Sequence, residues 1–318
     1  MKSYRNVVLF SLLAFACDTI IEIDLPENQN FVVINGLAPA DSAWLLRVTS
    51  SVGALTEVDF RGFKGIENAS VVVSGENGEN TELDFIISPP EFVDCNFEDC
   101  DRYGYYYSER NPAIAGETYT INVQVPNLGE ASSTFEIPTP VEIEKADLET
   151  TSSNVNSREE NGEITFTDNP NEQDFYIFQL YFSAGFPQDI CDSTGVYVRT
   201  DTVFFFNNAR LSSPDPSVIN PDNDSNEFSK NFLLLNDVLF NGQNFKLNFK
   251  AEIFSNSDEL IFELKHISED YYRYLLSIEN YNFSDGNPFA EPVQVYSNVE
   301  NGFGIVAAYA SDTLVLKK

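Results

Sequence analysis

Apolar and polar residues alternate along most of this chain with a period of two, in short runs cut by Gly, Pro, Asn and Asp. The clearest case is TYTINVQV at 118–125: Tyr119, Ile121, Val123 and Val125 fall on one side of an extended backbone, Thr, Asn and Gln on the other. FVVIN at 31–35, WLLRVTSS at 44–51, ASVVVS at 69–74, TELDFII at 81–87, YGYYY at 103–107 and ASSTFEI at 131–137 are similarly rich in aromatic and β-branched residues. Such a succession predicts an immunoglobulin-like β-sandwich over 27–140, closed by the stiff Pro138 and Pro140.

Beyond that boundary, 141–148 reads as a strand and 149–162, polar and rich in Asn, Ser and Glu, as an interval between elements. Strands are predicted at 163–167, at 175–183 (FYIFQLYFS) and at 196–206 (VYVRTDTVFFF), with loop chemistry over 212–230. Asn241-Gly242 is a hairpin signal leading into FKLNFKAEIF at 245–254, followed by a strand at 259–266. One convincing helix follows, over 269–281. Ser268 is placed to cap it, Glu269 and Asp270 suit its first turn, and Tyr271, Leu275 and Ile278 share a face that reads as core. The chain closes with a strand, a Gly-rich turn and one or two further strands. The fold class is therefore mainly β: a sandwich followed by a second β-rich domain over 141–318 with one short helix near the C-terminus.

Composition supports a folding chain, with 42% hydrophobic residues, 27 Phe and 15 Tyr. Charge changes the picture more. A formal net charge of −32 repels phosphate backbones and anionic headgroups, which argues against nucleic acid as a partner.

The first residues carry an address. Lys2 and Arg5 precede an apolar run at 7–15, and small Ala14 and Ala16 lead directly to Cys17. This predicts a lipoprotein signal peptide over 1–16, lipidation of Cys17, and a tether over 17–26. An ordinary signal cut after Ala16, with Cys17 as a structural thiol, is the other reading. No second apolar run reaches the roughly 18 residues that a spanning helix needs, so the expectation is anchorage to the membrane by lipid. Of the remaining cysteines, Cys95 and Cys100 are close enough in sequence for a disulfide, which leaves Cys191 as a free thiol.

Candidate chemistry is sparse. The only histidine, His266, falls between a strand and a helix and reads as a capping or surface residue; a Ser-His-Asp site, or one using Cys191, would have to recruit it. The fragment Asp222-Asn223-Asp224 opens like a calcium loop, but Glu227 stands where the sharp-turn glycine belongs, so it reads as solvated loop. No catalytic residue, metal ligand or cofactor is assigned. In SNVENGFGI at 297–305, Asn298, Gly302 and Gly304 read as structural: Asn298 bonds backbone at a turn, and the glycines permit positive φ or close approach of another strand.

Several stretches together resemble one family: the lipoprotein start, GETYTINV at 116–123, SEDYYRY at 268–274, and above all NPFAEP at 287–292 followed by SNVENGFGI. They are similar to a Bacteroidetes lipoprotein family catalogued as domain of unknown function four-two-four-nine. The resemblance implies an outer-membrane lipoprotein encoded beside a TonB-dependent transporter, and it carries no catalytic residues. The expected function is a non-enzymatic, lipid-anchored accessory protein partnering a TonB-dependent β-barrel in nutrient uptake. An independent surface binder of glycans or peptides is the alternative, and a carboxylate-based glycoside hydrolase a second.

Overall fold

The computed structural model describes residues 30–53, 64–87, 104–154, 157–170, 172–191, 197–219, 230–254, 259–284 and 293–317, with backbone only for 186–191, 197–204, 283 and 284. Cys17, Cys95, Cys100 and the Asp222 fragment lie outside these residues, and Cys191 is described in its backbone alone.

The first half is a sandwich. One sheet has the order β4-β3-β7-β8, with β3 at Ser70–Gly75, β4 at Asn80–Glu82, β7 at Thr118–Val125 and β8 at Gly129–Glu136. It faces β1 (Val32–Pro39), β2 (Trp44–Ser50), β5 (Asp84–Ile86) and β6 (Tyr105–Ser108). Alternation does what the sequence expects: in β7 Tyr119, Ile121, Val123 and Val125 are buried and pack with Ile34, Leu46, Val71 and Phe135. Trp44 sits centrally, edge-on to Tyr119 at 4.9 Å, and its indole N–H donates to the Asn111 carbonyl at 2.7 Å, so burial leaves no donor unpaired.

The second half repeats the layering. β9 (Ile143–Ser153), β10 (Arg158–Thr167), β15 (Asn244–Ile253) and β13 (Arg210–Ser212) form one sheet, against β11 (Phe175–Cys191), β12 (Tyr197–Asn208), β14 (Leu233–Asn236) and β16 (Glu259–Ile267). Ile164, Phe166, Tyr176, Phe178, Leu180, Phe249 and Phe262 fill the space between them. The polar interval at 149–162, read as a break, is largely paired strand: β9 and β10 run on through it as a hairpin. The distal residues of β9 face solvent, so their polarity marks exposure, while the backbone pairing and Thr150 bonding to Glu160 hold the ribbon.

β17 (Gly302–Lys317) joins the halves. Residues 302–309 pair with β1 in parallel, and 309–317 pair with β16 in antiparallel, giving a nine-stranded sheet with the path β12-β11-β16-β17-β1-β2-β6-β5 and β14 beside β11 off that path. Val306 and Ala308 belong to the first core, while Leu314 and Leu316 pack on the second. The two cores divide near Pro138 and Pro140 in every element but this last strand.

The helix α1 (Glu269–Ser284) lies on the outer face of the long sheet, where Tyr271, Tyr272, Leu275 and Leu276 cover Phe175, Ile177, Leu234 and Ile267. Tyr272 stacks on Phe175 with centroids 4.0 Å apart. Ser268 caps it as expected, its Oγ accepting from the Tyr271 N–H at 3.3 Å. The face is rotated from the expected one, with Tyr272 and Leu276 in place of Ile278 against this cluster.

Candidate functional site

Asn298, Gly302 and Gly304 secure the shared strand. The Asn298 side chain meets Val306 like a neighbouring strand: its amide donates to the Val306 carbonyl at 2.9 Å and its oxygen accepts from the Val306 N–H at 3.0 Å. The same amide donates to Asp270 of α1 at 3.1 Å, and Asp270 also accepts from the Tyr296 hydroxyl at 2.5 Å. Gly304 has φ of +111°, and a Cβ there would lie 2.0 Å from the Ile34 carbonyl oxygen; at Gly302 it would lie 2.4 Å from that of Val32. These residues hold strand against strand and helix.

A different group, dispersed in the sequence, converges at the end of the second sandwich beside the 138–142 connection. Asp168 directly follows β10, and its N–H donates to the Gln243 carbonyl at 3.1 Å. Its carboxylate accepts from the Tyr176 hydroxyl at 2.5 Å and from the Gly242 N–H at 2.7 Å. Asp174 immediately precedes β11. Asp237 opens a 3-10 turn, Asp237–Leu239, and donates its N–H to the Asp174 carbonyl at 3.1 Å. Asn241 then ties Asp237 (2.8 Å) to the Glu172 carbonyl (2.6 Å). The Asn-Gly signal is thus no hairpin. β14 pairs with β11 in one sheet and β15 with β10 in the other, so the turn arches between layers, and Gly242 at φ +69° presents its N–H to Asp168.

His266, near the end of β16, completes the group, and it is buried, correcting the expectation of a surface or capping residue. One ring nitrogen lies 3.1 Å from Asp174 Oδ1 and the other 2.7 Å from the Thr139 carbonyl oxygen. Burial alone would lower its pKa, but the hydrogen bonds to Asp174 and Thr139 outweigh that and hold it above the ordinary value. Asp168 is pushed up, first by burial and then by the charges of Asp174 and Asp237, against the hydrogen bonds from Tyr176 and Gly242.

Asp168, Asp174 and Asp237 are 1%, 3% and 1% exposed. Each offers an oxygen, and these atoms lie within 4.8 Å of one another. Asp174 Oδ2 has no hydrogen-bond partner among the described residues. Among the described residues no lysine or arginine forms an ion pair with any of the three. Asp174 and His266 also line a cavity of about 520 Å³ whose other walls include Thr139, Asn169, Glu172 and Ser268.

This arrangement is poorly suited to acyl transfer, because both nitrogens of His266 are engaged and neither faces a hydroxyl or thiol. Nor can a sugar reach between carboxylates this enclosed. What the group can do is attract positive charge. Sequence reasoning missed it because three aspartates among 50 acidic residues carry no mark of their own. The available signal was position: each flanks a strand end beside turn chemistry, Asn169-Pro170 for Asp168 and Asn241-Gly242 for Asp237.

A family model described as Domain of unknown function (DUF4249) matches residues 18–314. No curated protein matches the chain.

Proposed function

The chain belongs to the DUF4249 family, and from that premise we propose that it is a lipid-anchored accessory protein of the Bacteroidetes outer membrane that partners a TonB-dependent β-barrel in nutrient uptake. The observation that carries the reading is the Ala16-Cys17 junction behind a positive, then apolar, leader. Two acyl chains or more hold a protein stably at a bilayer, where one does so only marginally. Among the described residues no helix is long and apolar enough to cross a membrane. Two structural features support docking over chemistry: the only histidine has both nitrogens occupied, and outer strand β12 leaves Phe205 and Phe206 about half exposed. A strand that among the described residues pairs on one side only, and that presents apolar side chains to solvent, suits a protein partner. Tethering both proteins in one membrane raises their effective concentration and lets a modest interface suffice.

The test is affinity purification of the tagged chain from detergent-solubilised membranes, with radiolabelled palmitate incorporation in wild type and Cys17→Ala. Labelling confined to wild type, and one β-barrel recovered in near-equal amount, is the expected result. Equal labelling of both forms would remove the anchor. Recovery of the lipoprotein alone, with unchanged uptake in a deletion strain, would replace the transporter reading with an independent surface binder.

A further inference from the structure

The buried aspartate group has a charge problem that the protein alone does not solve. Three carboxylates lie together, nearly closed to solvent, and among the described residues the one ionisable group of opposite sign that bonds to any of them is His266. Even a fully charged imidazole leaves two negative charges in excess. Burying uncompensated charge is expensive, and proteins resolve it with a counter-charge, a proton or a metal ion.

We propose that Asp168, Asp174 and Asp237 form a binding site for a calcium ion. Three observations carry this, and none depends on a lipid anchor or a transporter. The first is convergence: the three oxygens lie within 4.8 Å of one another, inside the reach of one ion with metal–oxygen distances of about 2.3–2.6 Å. The second is the unsatisfied atom. Asp174 is 3% exposed, yet among the described residues its Oδ2 has no partner, although a buried carboxylate oxygen ordinarily has one. The third is that the carboxylates are already oriented. Tyr176 and Gly242 fix Asp168, Asn241 fixes Asp237, and His266, itself pinned by the Thr139 carbonyl, fixes Asp174. Hydrogen-bonded carboxylates held by such outer groups are the usual support of a metal site, and each oxygen retains a lone pair for the ion.

The donor set selects the kind of metal. All three groups are carboxylates, and the one nearby imidazole has both nitrogens engaged, so a hard, oxygen-seeking cation fits and a thiolate- or imidazole-seeking one does not. Calcium fits better than magnesium. It tolerates the irregular geometry of ligands drawn from the two ends of one loop and from a separate 3-10 turn, whereas magnesium demands near-ideal octahedral order. The adjoining cavity, which Asp174 lines, gives the ion a path in and room for the water that would complete its shell.

Bound there, calcium would tie the β10–β11 loop, the 3-10 turn and, through Asp174 and His266, the Thr139 segment that connects the two halves. The site thus lies where an ion could set how firmly the halves are joined.

Equilibrium dialysis of the full chain, purified in detergent and stripped with a chelator, tests this with radioactive calcium from about 1 µM to about 1 mM, the range of the weaker sensor-type and the extracellular calcium sites. One ion per chain is expected, with a rise in Tm on calcium addition. Asp237→Asn, which keeps the shape and the Asn241 contact, should weaken binding at least about tenfold and abolish the Tm rise. Asp222→Asn, in the other acidic fragment, should leave both unchanged. Wild type that binds no calcium and gains no Tm overturns the proposal and leaves shared protons as the occupant. Magnesium binding more tightly than calcium overturns the choice of ion, and loss on Asp222→Asn but not on Asp237→Asn overturns the location. Should Asp237→Asn fail to fold by circular dichroism, the wild-type stoichiometry together with Asp168→Asn decides the matter.

Discussion

Gly304 shows how much one residue decides. Its φ of +111° is costly for any side chain, and a Cβ would press on the Ile34 carbonyl oxygen at 2.0 Å, across the parallel β1–β17 pairing that joins the halves. Gly78 has a similar φ, +84°, but no atom within 4 Å of its would-be Cβ. Gly78→Ala should therefore cost only the conformational penalty, about 1–2 kcal/mol, whereas Gly304→Ala should cost on the order of 3 kcal/mol or more as strain adds to overpacking. Urea denaturation of the two variants checks this, and equal losses would mean that β17 can yield without disturbing β1. Residue-scale legibility was uneven for a related reason. A glycine beside an aromatic in a Gly-Phe-Gly stretch advertises a backbone demand in one place, while Asp168, Asp174 and Asp237 acquire meaning only when the β10–β11 loop meets the 3-10 turn.

Elements whose own periodicity matches their burial were legible, and those defined by what they pair with were not. β7 alternates in sequence and in burial alike, and α1 starts at its Ser268 cap because local chemistry suffices there. The hairpin at 143–167 hid behind solvent-facing polar residues, and the Asn-Gly signal marked the positive φ of Gly242 but was misread as a hairpin, because the sheets it connects are not written locally. Ser268 illustrates both levels. Its Oγ accepts from the Tyr271 N–H inside α1 and, at 3.4 Å, from the Ala308 N–H of β17, so the cap also fastens helix to sheet. Ser268→Ala should cost about 1–2 kcal/mol, the upper part of the range for a lost cap, and Ser268→Thr should retain most of it. Thermal melts of the pair decide: identical midpoints for Ala and Thr would show that the hydroxyl contributes nothing.

Across the whole molecule, β17 makes two sandwiches share one strand. Its first residues fill the core around Trp44, its last residues pair with β16, and at Asp312 its carboxylate accepts the Ile143 N–H at 2.7 Å, just past the connection between halves. This sharing predicts cooperative unfolding. Phe262, fully buried in the second core, sits opposite Leu314 in the β16–β17 register, and Phe262→Ala should cost about 3–5 kcal/mol through lost contact and cavity. If the halves were independent, that loss would leave the first sandwich untouched. Because a loosened β16 frees the second part of β17, the strain should pass along the strand into its pairing with β1. Trp44 is the only tryptophan and lies in the first core, so its fluorescence reports that half alone, while far-ultraviolet circular dichroism reports both. In Phe262→Ala the two signals should move to lower urea together and stay coincident, as a two-state transition requires. A Trp44 transition that keeps its wild-type midpoint while the dichroism splits into two steps would show β17 to be a hinge between separate folding units.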